Sequence, residues 1–106
     1  MRSDVKAIAD AFLLETYGFS EETRRRLIEK ASLEIVQNCR LLRSAIASRE
    51  EILIKKTVHK LKSNLNALGL RGLVKEITTT ENSESCNSSE YLRVAIDLCC
   101  KITDNS

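Results

Sequence analysis

An all-α fold, an antiparallel four-helix bundle with an additional short N-terminal helix, is predicted by three observations. Proline is absent, so nothing interrupts a long helix from within. The three glycines, Gly18, Gly69 and Gly72, fall between periodic stretches rather than inside them. Within those stretches apolar residues recur at three- and four-residue spacing, the period of a helix that buries one face. At 106 residues and 11.9 kDa, with 42% hydrophobic and 30% charged residues, the chain has the size and balance of one globular domain. The whole of 1–106 is taken as that domain, with the bundle core at about 19–103.

The elements follow in order. Val5, Ile8, Phe12 and Leu13 mark a short first helix that stops at Tyr17-Gly18, glycine being the natural left-handed terminator. Ser20 followed by Glu21 and Glu22 reads as a hydroxyl cap with acids in the first turn, where the helix dipole favours negative charge. The second helix then carries Leu27, Ala31, Ile35, Asn38, Leu42 and Ile46 on one stripe, Asn38 being its polar member. Arg24, Arg25 and Arg26 are expected to form a solvated helix end, with Lys30 and Arg43 also off the stripe. Ser48-Arg49-Glu50-Glu51 has the spacing of a capping box and is expected to open the third helix. That helix buries Ile54, Val58, Leu61, Leu65 and Leu68 and ends or bends at Gly69. A fourth runs over about Leu70 to Glu81 on Leu73, Val74 and Ile77, although β-branched Thr78, Thr79 and Thr80 make a poor helix end. Asn82 to Ser89 is a polar loop by composition, and Tyr91, Leu92, Ala95, Leu98, Cys99 and Ile102 form the apolar face of the last helix. The first helix is expected to cover one end of the other four.

Several function classes fall away. No stretch approaches the roughly 18–20 consecutive apolar residues that span a bilayer, and the N-terminus lacks an apolar signal core, so the expected compartment is cytoplasmic, with no membrane partner. The glycines form no phosphate-cradling pattern, so the chain is not expected to be a kinase or an enzyme in its own right. A net charge of +2, with no aromatic residue beside the basic run Lys55, Lys56, His59, Lys60, Lys62, argues against a nucleic-acid partner. From Glu76 onward the balance reverses, with six acids against Arg93 and Lys101. Cys39, Cys86, Cys99 and Cys100 show no C-x-x-C spacing, and the single histidine completes no zinc set, so no metal is expected. Cys39, Cys99 and Cys100 read as small buried hydrophobes in the reduced state.

One constellation remains. At about 100° per residue, Lys55, Lys62, Ser63 and Asn66 lie within about 60° of His59 on the third helix. The buried leucines point the other way, so His59 projects outward. A neutral imidazole is a nucleophile, and lysines beside it stabilise a dianionic phosphoryl group attached to it. Ser63 and Asn66 are short polar neighbours able to hydrogen-bond that group. Ile52 lies about 20° from the direction of His59, two turns back. It is either tucked under the first helix or an exposed anchor for a docking partner.

The string His59-Lys60-Leu61-Lys62-Ser63-Asn64-Leu65-Asn66-Ala67-Leu68-Gly69-Leu70 closely resembles the signature of histidine-containing phosphotransfer (HPt) domains, in which His-x-Leu-Lys-Gly is followed by a Leu-Gly or similar pair. The likeness extends from about Phe19 to Ile102: Gly18-Phe19-Ser20-Glu21-Glu22 looks like the entry to the family's long second helix, and Leu73 to Glu81 like its fourth. It implies a phosphoryl carrier of a two-component phosphorelay, with His59 as phosphoacceptor and Lys62 as the lysine that supports the phosphoryl group. The partners it implies are response-regulator receiver domains, which supply the aspartate and Mg²⁺, and a hybrid histidine kinase. The chain itself would bind no cofactor and act as a monomer. Two positions depart from the family pattern. Ser63 stands where glycine is usual, and Val58 where alanine is common, placing two methyls on the flank of the site and narrowing the range of partners. The competing expectation is an adaptor that keeps the fold but not the chemistry and holds an acidic or receiver-like partner on the basic helix.

Overall fold

A computed structural model describes residues 1–83 and 88–103. Every regular element among them is a helix: α1 (Ser3–Tyr17), α2 (Glu21–Ala47), α3 (Glu51–Ala67), α4 (Arg71–Asn82) and α5 (Ser88–Ile102). α2 packs on α3, α3 on α4, α4 on α5, and α5 returns to α2, so four helices close on one another around a shared core. At 1.5 Å per residue the 27 residues of α2 rise about 40 Å, which accounts for the 43 Å long axis of the molecule. None of the described helices is long and apolar enough to cross a membrane.

The core is built from the predicted stripes where one position per turn is apolar. On α3 all five expected residues, Ile54, Val58, Leu61, Leu65 and Leu68, are at most 4% exposed. Ile35, Cys39 and Leu42 face them from α2, Val74 and Ile77 from α4, and Val94, Ala95, Leu98, Cys99 and Ile102 from α5. Two threonines join the core at little cost. Thr57 Oγ1 donates to Leu53 O at 2.7 Å and Thr80 Oγ1 to Glu76 O at 2.9 Å, so each buried hydroxyl bonds the carbonyl one turn back. α4 continues through the three threonines to Asn82.

Where two adjacent residues are both apolar, the packing chose the neighbour of the expected one. Ile8 is 56% exposed, and Ala9 is buried in its place; Leu27 is 39% exposed and Ile28 is buried. The buried row of α1 is Val5, Ala9, Leu13, one residue per turn. This helix runs against the first half of α2, with Met1 N donating to Ser32 Oγ at 3.4 Å at one end and Arg24 Nε to Asp10 Oδ1 at 2.8 Å at the other. It reaches the end of α5 through Arg2 N to Ile102 O, 2.8 Å, and the α3–α4 turn through the Phe12 ring, which lies on Gly69. α1 therefore covers one end of the bundle. Arg24 is no solvated end residue: its side chain is 13% exposed and also donates to Phe19 O, tying α1, the turn and α2 together. Arg25 and Arg26 are exposed as expected.

Turns decide the remaining boundaries. Gly18, at φ +67°, closes α1, and Ser20 Oγ accepts from Thr23 N at 3.2 Å as the cap of α2. The Ser48 capping box does not form. Ser48 is absorbed into the end of α2, Arg49 takes the left-handed conformation at φ 57°, and Glu50 N donates back to Ala45 O at 3.0 Å. This is a Schellman ending, and it leaves Glu50, without a side-chain cap, to open α3. The same motif recurs after α3, where Gly69 (φ +73°) and the bond from Leu70 N to Leu65 O turn the chain into α4. The expected loop at Asn82 to Ser89 is shorter than its composition suggests, since Asn82 belongs to α4 and Ser88 and Ser89 to α5; residues 84–87, Cys86 among them, lie outside the described residues.

Candidate functional site

α3 presents its outer face as the periodicity requires. His59, Lys55, Ser63, Asn66 and Ile52 are exposed, while Leu61 and Leu65 behind them are fully buried. Ile52 is 74% exposed, and α1 lies at the far end of the bundle, so no cover from the first helix exists. It borders a shallow hollow lined by Glu50, Glu51, Leu53 and Lys56, about 10 Å along the helix axis from His59. Val58 is 0% exposed and packs in the core, so its methyls do not lie on the exposed face beside His59. Ser63, in the position usually held by glycine, is exposed on the rim of the groove beside His59.

That groove, about 420 Å³, lies between α2 and α3 and is lined by Glu34, Gln37, Asn38, His59, Lys60, Ser63 and Asn64. Its floor is a hydrogen-bond chain: Asn38 Nδ2 donates to Asn64 Oδ1 at 2.9 Å, and Asn64 Nδ2 donates to Glu34 Oε2 at 3.1 Å. Asn38 thus occupies its stripe position because Asn64 satisfies it across the helix interface. The chain fixes Asn64 one turn beyond Lys60 and holds a carboxylate within the groove.

On the other flank Lys62 leans away from His59. It is 19% exposed at its side chain and donates from Nζ to Glu81 Oε2 at 2.9 Å; the other oxygen of Glu81 accepts from Tyr91 Oη at 3.4 Å. The five sequence-derived polar residues therefore do not stand as one cluster. Lys55, His59, Ser63 and Asn66 share the open face, while Lys62 is anchored to α4. Glu34, Gln37, Asn64, Glu81 and Tyr91 were missed as site residues. Only Glu34, Gln37 and Asn38, polar at i, i+3 and i+4 beside the α2 stripe, left a local trace.

Of the thiols expected to be buried, Cys39 and Cys99 are, whereas Cys100 is half-exposed with its sulfur accepting from Arg43 Nη2 at 3.7 Å. Arg43, off the α2 stripe as expected, is half-buried.

The site offers one exposed imidazole in the middle of a rigid helix, flanked by cations and short hydrogen-bonding side chains, on a face open to a macromolecule. Comparison of the chain with family models, with curated proteins and with solved structures finds no match.

Proposed function

We propose that this chain is a histidine phosphotransfer carrier, accepting a phosphoryl group on His59 from a receiver-domain aspartate and passing it to another. The observation that carries the reading is His59 itself: the only histidine of the chain, exposed at mid-helix and backed by three fully buried residues, Val58, Leu61 and Leu65. Its support is twofold. The residues His59 to Leu70 resemble the HPt signature, and the all-helical fold, with a long α2 and a short α1, is compatible with the bundle that resemblance implies.

In the transfer an imidazole nitrogen attacks the phosphorus of the partner's aspartyl phosphate in line with the acyl oxygen. The P–N bond forms as the P–O bond breaks, and the carboxylate leaves with its electron pair. Return to a second receiver runs the same step backwards. Mg²⁺ belongs to the receiver; this chain supplies position and charge. Lys55 stands one turn before His59, and Lys62 reaches the phosphoryl group only by exchanging its Glu81 partner for it. Ser63 and Asn66 are placed to donate hydrogen bonds to its oxygens.

The test is transfer from a receiver domain carrying labelled aspartyl phosphate, in Mg²⁺, to wild type and to His59→Gln. Label moving to wild type alone supports the carrier. No label on either, with salt-sensitive receiver binding retained by both, establishes the adaptor instead.

A further inference from the structure

None of the residues lining the groove between α2 and α3 is apolar, whereas pockets for small molecules are mostly so. Open on the face that bears His59, the groove suits a polar side chain reaching in from a docked protein surface. Its α2 wall carries Glu34 and, about one turn on, Gln37, both exposed. Asn64, itself held by Asn38, donates to Glu34 Oε2 at 3.1 Å and so orients the carboxylate before any partner arrives. Glu34 Oε1 is left open, since no cation among the described residues pairs with it, and the side chains of Gln37 and of Lys60 on the facing wall have no partner among them either. A carboxylate fixed beside His59 repels a dianionic phosphoryl group. Its place in the groove therefore hinders the chemistry until a cation covers it.

We propose that Glu34 is the specificity-determining residue of the groove: it admits a receiver domain whose surface beside the phosphorylated aspartate carries a lysine or arginine, and turns away one that carries an acid there. The inference rests on the phosphotransfer reading and adds the kind of receiver the carrier accepts. The incoming ammonium or guanidinium donates to Glu34 Oε1, with the Gln37 side-chain oxygen as a second acceptor. Because Asn64 already holds the carboxylate, little side-chain freedom is lost when the pair forms. An acid in the same place meets Glu34 uncompensated, and like charges brought together across an interface are strongly disfavoured. Lys60 supplies the other half of the pattern, so the accepted surface sets a cation over α2 and an acid over α3.

The test measures transfer from a receiver domain labelled at its aspartate, in which each surface lysine or arginine around that aspartate is changed in turn to glutamate. The acceptors are wild type, Glu34→Gln, which keeps an oxygen for Asn64, and Glu34→Lys. One reversal should slow transfer to wild type about tenfold, matter little to Glu34→Gln, and speed transfer to Glu34→Lys. Comparing receivers on one acceptor cancels any change that a substitution makes to His59 or to the fold. The proposal is overturned if every reversal affects all three acceptors alike. It is overturned too if Glu34→Lys takes label faster from every receiver, which would put an acidic surface in the groove. Phosphoramidate, a small phosphoryl donor, keeps the two levels apart. If it phosphorylates His59 while the reversals act alike whatever stands at residue 34, the carrier survives and the selection falls; if neither phosphoramidate nor any receiver modifies His59, both fall.

Discussion

Replacing Gly69 by alanine tests the turn that joins α3, α4 and α1. Gly69 has φ +73°, and an added Cβ would lie 2.2 Å from Phe12 Cγ, 2.3 Å from Cδ2 and 2.7 Å from Cδ1. Left-handed backbone costs an alanine roughly 1–2 kcal/mol, and its stiffer unfolded chain offsets about 0.4–1 of this. Carbon pairs rest at about 3.5–4.0 Å, so the ring must retreat by more than an ångström at its base, where it has least freedom. Overpacking of this kind costs about 1–3 kcal/mol. The net prediction is a loss of about 2–4 kcal/mol. Gly18→Ala supplies the control, since Gly18 has φ +67° and nothing within 4 Å of an added Cβ, leaving only the backbone cost, about 1 kcal/mol. Urea unfolding monitored by helical circular dichroism measures both. With a slope of about 1–3 kcal/mol per molar, the Gly69→Ala midpoint should fall by about 1 M or more. In a Phe12→Ala background the cost of Gly69→Ala should drop to that of Gly18→Ala. Equal losses at the two glycines, or a Gly69→Ala cost unchanged by removing Phe12, would refute the reasoning.

Other substitutions probe separate parts of the account. Ser20→Ala removes the hydroxyl that accepts from Thr23 N and should cost about 1 kcal/mol by the same unfolding assay, with Ser20→Asp close to neutral. Gly72→Ala, in the first turn of α4 with open space around an added Cβ, should stabilise by about 0.5–1 kcal/mol. Glu81→Gln weakens the hold on Lys62, so at a fixed donor concentration phosphorylation of His59 should rise, and Lys62→Ala should lower it. An ion pair of this kind is worth at most about 1 kcal/mol, or roughly fivefold in each direction.

The sequence was most legible where the pattern allowed one answer. On α3 the stripe Ile54, Val58, Leu61, Leu65 and Leu68 keeps spacings of four, three, four and three, and Val58, Leu61 and Leu65 each have polar residues on both sides, so Ile54 to Leu68 read directly as a buried face. Periodicity could not choose between Ile8 and Ala9, or between Leu27 and Ile28, because adjacent apolar residues lie only about 100° apart and the choice belongs to the helix that packs there. Ser48 satisfied the capping-box spacing, but with Arg49 in the left-handed conformation the backbone bonds from Arg49 N to Ile46 O and from Glu50 N to Ala45 O close α2 instead, and those involve no side chain that a spacing could reveal. His59 and its exposed neighbours followed from the helical wheel. Lys62 did not, since its partner Glu81 lies 19 residues away on another helix, and the Asn38–Asn64 contact spans 26. Such pairings leave no local spacing to read. The arginines divide in the same way: Arg25 and Arg26 are solvated, whereas Arg24 is committed to Asp10 by the position of α1.

The central claim is that His59 takes a phosphoryl group, and intact mass after incubation with phosphoramidate, a small phosphoryl donor, tests it most directly. With one histidine in the chain, wild type should gain a single phosphoryl group that is lost on mild acid treatment, and His59→Gln should gain none. An unmodified wild type, or equal modification of His59→Gln, would contradict the account.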